Sequence, residues 1–218
     1  LLELLIKMKN FDQLKKMHRE LRDAYEESFS IRIHRSLSWL KRSEQEDKDI
    51  DAKFIFIWIA LNSAYSIHLD GYKNSGDEQL RSDFFTTLIK NGQNSVHEII
   101  YERFSQEVRS ILNNEYILTS FWSDKDNWKV KLKNEKKEVQ DSLRDRNQTH
   151  YILTILFRRL YVLRNQIFHG GSTWQGKLNR QQVKDGANLL SYLVPVMLEV
   201  MMENPKNDWG ILAYPPTE

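Results

Sequence analysis

The chain has 218 residues, 40% of them hydrophobic and 28% charged, with only 8 Gly and 4 Pro, a composition that points to a folded, helix-rich protein and away from disorder or a loop-rich all-β fold. Its 32 basic and 30 acidic residues leave a net charge of +2, so an anionic partner would have to be met by a local cluster rather than by the field of the whole molecule. Cysteine is absent, which excludes disulfides, thiolate metal sites and a cysteine nucleophile.

The length suits a single domain over residues 1–218. The opening LLELLIKMKN lacks the basic lead-in and small-residue cleavage site of a signal peptide, so none is expected. The most apolar run, Phe54 to Leu61, is too short to span a bilayer. The expected setting is therefore soluble and cytoplasmic, with no membrane partner.

In chain order, Leu2 to about Tyr25 reads as a helix with a loose stripe of Leu5, Met8, Leu14, Met17, Leu21 and Tyr25, within an N-terminal segment 1–27. A second helix is expected from Ser28 to Arg42, with Ile33, Leu37 and Leu40 on one side. KRSEQEDKD then reads as a loop, and Asp49 or Asp51 as the cap of a third helix to about Leu69. That helix is apolar nearly all round (Phe54, Ile55, Ile57, Trp58, Leu61, Tyr65), which suits a central position. Residues 71–77, GYKNSGD, read as a turn. Two helices follow, Glu78 to Lys90 and Ser95 to Leu112, separated by Asn91, Gly92 and Asn94.

Between Ser123 and Arg146 the sequence mixes charges of both signs, with Val139 and Leu143 spaced to face a core. This reads as an exposed amphipathic helix whose Glu135, Glu138, Asp141 and Asp145 cancel much of the basic charge, a solvated face rather than a nucleic-acid surface. Trp39, Trp58, Trp122 and Trp128 read as packing residues rather than base-stacking platforms. A last helix is expected from Arg180 to Met202, kinked at Pro195, before an irregular tail over 203–218. No strand-period alternation or internal repeat is present. The fold class is all-α.

The most informative stretch is Tyr151 to Gly171, YILTILFRRLYVLRNQIFHGG. Leu153, Leu156, Phe157, Leu160, Leu163 and Ile167 recur at three- and four-residue steps, the period of a buried helix face. Gly170 and Gly171 then stop it, because glycine accepts the left-handed backbone that closes a helix. Arg164, Asn165 and His169 thus sit at the exit of a core helix. Arg164 and His169 are about 140° apart around the axis and roughly 7.5 Å apart along it, an awkward pair for one phosphate in a single copy. Two copies meeting across a two-fold axis would surround a phosphate with two arginines and two histidines. Histidine titrates near neutrality and moves protons, arginine braces negative charge, and asparagine would orient the imidazole or the substrate. Equally open on residue type alone is a structural role, cations meeting the negative end of the helix dipole. Arg144 and His150 offer a similar gap, but at a helix entrance.

The apolar helix, the Arg-Asn-x-x-x-His spacing of RNQIFHG and the following Gly-Gly resemble the HEPN superfamily. FIFIWIALNSAYS, NRQQVKDGANLLSYLVPVMLEVM and the closing DWG and YPP are similar to its bacterial Apea-like branch, a resemblance that runs from about Ser36 onward and is weakest over residues 70 to 145. It implies a HEPN-like helical bundle, a four-helix core plus additional helices, that dimerises and cuts RNA without a metal ion or other cofactor. Arg164 and His169 would be the catalytic pair with Asn165 beside them, acting on single-stranded RNA in a toxin–antitoxin or phage-defence setting with an antitoxin or defence-system partner. Arg158, Arg159 and Arg180 would extend the substrate-binding surface, one of the first two serving instead as a salt-bridge partner. The alternative it implies is a non-catalytic module that binds RNA or a partner protein. The scattered His18, His34, His68, His97 and His150 form no metal-ligand spacing.

Overall fold

The computed structural model describes residues 8–65 and 76–216, with backbone alone for 76–80. These residues form nine α-helices and no strand, an all-α bundle. Helix α1, Phe11–Leu21, begins at a reciprocal cap in which Asn10 and Gln13 each accept the other's backbone N–H at 3.0 Å. The expected start of this helix at Leu2 lies outside the described residues. Helix α2 spans Glu27–Glu44 and α3 spans Ile50–Tyr65. Asp49 caps α3, its carboxylate accepting the N–H groups of Asp51 and Ala52 at 3.0 and 3.1 Å. The expected continuation to Leu69 and most of the turn at 71–77 also fall outside the described residues.

The loop expected at residues 91–94 is instead a kink. Helix α4 runs Gly76–His97 with non-helical backbone at Gly92 (φ −131°, ψ 29°). A Cβ there would lie 2.5 Å from Val200 Cγ2, so the bend falls where α4 presses on the last helix with no room for a side chain. A π-helical turn, Glu98–Arg103, then separates α4 from α5, Ser105–Asn113. The charge-dense region divides into α6, Thr119–Ser123, and α7, Trp128–Asp145. The motif-bearing helix is α8, Thr149–Phe168. Helix α9, Arg180–Glu203, continues through Pro195.

Helix α3 packs between α2 and α9, while α4 and α5 pack against both α8 and α9, and α7 lies on α8. Trp58 of α3, Phe85 of α4 and Phe157 of α8 meet at the centre, Phe157 lying 6.4 Å from Trp58 and 4.6 Å from Phe85 by ring centroids. All three are at most 3% exposed, and each such burial contributes about 1.5–3 kcal/mol. This aromatic knot anchors the middle of α8, so its C-terminal turn projects from a fixed point. After α9 the chain is irregular. Arg32 holds it through the Gly210 carbonyl at 2.7 Å and Arg35 through those of Ala213 and Tyr214. No helix among the described residues is long and apolar enough to cross a membrane.

Candidate functional site

One face of α8 is committed to the core through Ile152, Leu153, Leu156, Leu160 and Leu163. The other face emerges over the last two turns and carries Tyr161, Arg164, Asn165 and Phe168. Tyr161 and Phe168 are 39% and 43% exposed; seven residues apart, they share a face with Arg164 between them. The helix closes at His169, whose N–H donates to the Asn165 carbonyl at 3.0 Å. Gly170 follows in the left-handed region (φ +71°), its N–H donating to Ile167 O at 3.3 Å.

Arg164 is half-buried, its guanidinium 4.3 Å above the Phe168 ring and 6.0 Å from that of Tyr161. Its Nη1 donates to Asn165 Oδ1 at 2.9 Å. No carboxylate among the described residues pairs with it, and its buried Nε has no acceptor. His169 is exposed, and its ring makes no hydrogen bond among the described residues. The side chain of Asn165 therefore orients Arg164 rather than the imidazole. Arg81, from α4, lies over the opposite part of this surface, 5.6 Å from the Tyr161 centroid. With Tyr161 and Phe168, Arg164 and His169 make a cationic, aromatic helix end in which neither Arg164 nor His169 has a carboxylate partner among the described residues.

The remaining expected residues separate. Arg158 is exposed and its nearest carboxylate oxygen, on Glu135, is 4.0 Å away. Arg159 is 2% exposed, ion-paired to Glu135 and donating to the Asn114 carbonyl at 3.2 Å; burial holds its pKa below the usual arginine value. It cannot extend a substrate surface, because its charge is consumed in joining α7 to α8. Arg180 pairs with Asp51 at 2.6 Å. With the Trp174 indole N–H on Asp49 (2.8 Å) and the Gln175 N–H on Asp51 (2.8 Å), it straps the segment after His169 to the head of α3. Hydrogen bonds from the Ala52 N–H and then the Trp174 indole keep the Asp49 carboxyl below its usual range despite partial burial. The decoy pair Arg144 and His150 is divided between α7 and α8, and His150 Nε2 contacts the Ser82 carbonyl at 3.1 Å.

A closed ring of amides, which no motif signals, holds the other side of this helix end. The Tyr116 N–H donates to Asn114 Oδ1 (2.8 Å), Asn114 Nδ2 to Asn179 Oδ1 (3.2 Å), Asn179 Nδ2 to Gln166 Oε1 (2.7 Å) and Gln166 Nε2 to the Tyr116 carbonyl (2.7 Å). Asn179 is 7% exposed and adopts a left-handed backbone (φ 53°), which asparagine tolerates better than most residues. The ring joins the α5–α6 connection, α8 and the start of α9 without a charge. Polar residues so far apart in sequence carry no periodic signature; only the proximity of Gln166 to the Arg-Asn motif could have drawn attention to it.

No group of three or more potential metal-ligating side chains gathers among the described residues. No family model matches the chain. No curated protein and no solved structure matches it either.

Proposed function

We propose that this chain is a metal-independent endoribonuclease of the HEPN type that acts as a dimer through Arg164, Asn165 and His169. The observation that carries the reading is that Arg164 and His169 emerge at one helix end without a carboxylate partner among the described residues. A half-buried arginine held for stability alone is more often paired with a carboxylate, as Arg159 is with Glu135. In the proposed reaction one His169 imidazole takes the proton of a ribose 2′-hydroxyl as O2′ attacks phosphorus. The P–O5′ bond breaks, and a second copy of His169, entering protonated, donates a proton to the departing 5′-oxygen. The products are a 2′,3′-cyclic phosphate and a 5′-hydroxyl. Arg164, held by Asn165 and Phe168, stabilises the charge that builds on the non-bridging oxygens. The exposed Tyr161 and Phe168 suit contact with the second copy that the chemistry requires. The setting would be a toxin or phage-defence system.

A specific contact favours the second reading, a non-catalytic module binding RNA or a partner protein. The guanidinium of Arg164 is already stacked and hydrogen-bonded within its own helix, as a helix-end fixture would be. Cleavage of a mixed single-stranded RNA in excess chelator separates the two. Native protein should cut, and His169→Ala and Arg164→Ala should each lower the rate at least about 100-fold. Absence of cutting by a folded, dimeric native protein would discard the catalytic reading, as would equal cutting by the His169→Ala variant.

A further inference from the structure

The charges of α7 do not cancel as their sequence order implies. At about 100° per residue, the buried stripe of Leu132, Val139 and Leu143 divides the helix into two flanks. Glu135 and Glu138 fall on the flank facing α8. There Glu135 is taken by the buried Arg159, and Glu138 accepts the Tyr151 hydroxyl at 2.5 Å. Lys131 on this side is held by Asp124 at 2.8 Å. Lys129, Lys133, Lys136 and Lys137 fall on the other flank, within a sector of about 100° and a length of about 12 Å. None of these four has an ion-pair partner among the described residues. They line an open groove of about 530 Å³ with Trp128, Leu132, Gln140 and Glu115, the single carboxylate in its wall. Asp141, just beyond the lysines, is directed to Arg144 at 3.9 Å. Glu135 and Glu138 are thus engaged on the flank that faces α8, and the opposite flank is left basic.

An aromatic cluster continues from the head of this flank. Lys129 Nζ lies 5.6 Å from the Trp128 ring centroid. Phe121 makes edge contacts with Trp128 (4.8 Å), Trp122 (5.0 Å) and Tyr116 (5.2 Å). Trp122 is 56% and Tyr116 42% exposed, yet both are fixed, the Trp122 indole N–H donating to the Tyr116 carbonyl at 2.8 Å. That same carbonyl accepts Gln166 of α8. From Gln166, His169 is about 60° further round the helix and roughly 4.5 Å further along it. Lysines, then rigid exposed rings, then the histidine at the end of α8 thus follow one another over connected surface.

We propose that the lysine flank of α7 and the rings of Trp122 and Tyr116 form a track for a single-stranded nucleic acid leading to the C-terminal end of α8. Mobile ammonium groups match a phosphate chain in a sequence-independent way, and pre-positioned rings match unpaired bases. An acidic protein would use the lysines but has no need of the exposed indole. The direction of the strand, toward His169, rests on the ribonuclease reading; binding to the track does not.

The test uses the full chain carrying His169→Ala, so that a bound strand is not consumed, and a fluorescein-labelled single-stranded uridine 20-mer followed by anisotropy. The triple variant K133E/K136E/K137E should weaken binding at least tenfold. It should also flatten the slope of log affinity against log salt by about 2, the loss of roughly three phosphate contacts. Trp122→Ala should weaken binding by about tenfold with an unchanged slope. Lys184→Glu, on the exposed face of α9, should change neither, and circular dichroism should show every variant folded. Undiminished binding by the triple variant would overturn the proposal. So would loss of binding in the triple variant alone, with Trp122→Ala unaffected and polyglutamate competing as well as RNA, since that pattern marks an acidic protein partner. Track-dependent binding by a native chain that never cuts leaves the track standing and removes the ribonuclease. Native-like cutting by the triple variant does the reverse.

Discussion

Arg158 and Arg159 are neighbours in sequence and opposites in role. Arg159 is enclosed and its guanidinium is divided between Glu135 and the Asn114 carbonyl, whereas Arg158 reaches solvent. Breaking a buried ion pair from one side leaves the other charge stranded. Because the Glu135 side chain keeps 20% of its surface in water, the penalty belongs at the lower end of the usual range. Arg159→Ala should therefore cost about 2–3 kcal/mol in urea unfolding, and Arg158→Ala no more than about 0.5 kcal/mol. Equal effects would mean that Glu135 is not the partner that matters. The distinction was available in the sequence, since Arg159 lies three residues after Leu156 and four before Leu163, squarely on the buried stripe of α8. Of the two arginines, one of which is expected as a salt-bridge partner, position rather than charge picks out Arg159.

At the scale of elements, the crossing of α4 and α9 depends on one missing side chain. Gly92 leaves the helical conformation where a Cβ would meet Val200 Cγ2 at 2.5 Å. Gly92→Ala should destabilise the fold by about 1–3 kcal/mol, because neither packed helix can retreat without strain. Combining it with Val200→Ala, which opens the contact, should recover part of the loss; chemical denaturation of the two single variants and the double variant measures the recovery. Absence of any recovery would locate the cost elsewhere. Most of these elements were legible in the sequence. Periodicity found α2, α3, α8 and α9, the Asp49 cap was readable, and the Gly-Gly pair marked the end of α8. What was not legible was the phase of α7. A segment rich in both charge signs looks neutral until the buried Leu132, Val139 and Leu143 show that acids and lysines take different sides. The π-helical turn at Glu98–Arg103 likewise has no one-dimensional signature, and two expected helices became a kinked α4, that turn and a short α5.

At the scale of the whole molecule, the proposed chemistry needs two copies. Tyr161 and Phe168 are the exposed rings nearest Arg164, and a stable interface would bury about 1,200–2,000 Å² in all. The double variant Y161E/F168E should sediment as a monomer where the native chain sediments as a dimer. It should lose cutting while keeping most of its affinity for the uridine 20-mer, because the α7 track lies on another face. A variant that stays dimeric would place the interface elsewhere. The candidate site itself was legible as a motif: Arg164, Asn165 and His169 are together at the helix end. The supports around it were not, since Asn114, Tyr116, Gln166 and Asn179 are brought together only by the tertiary fold.

The ring those four residues make contains no ionisable group, and each of its three side-chain amides uses both its oxygen and its nitrogen within the circuit. Added salt has nothing there to screen, and a change of pH has nothing to protonate. The platform that positions Trp122 and Tyr116 beside α8 therefore stays in place from dilute buffer to high ionic strength. The lysines that would meet a phosphate chain respond to every step of that range. A salt titration of binding therefore reads counterion release at the lysines without a contribution from this ring.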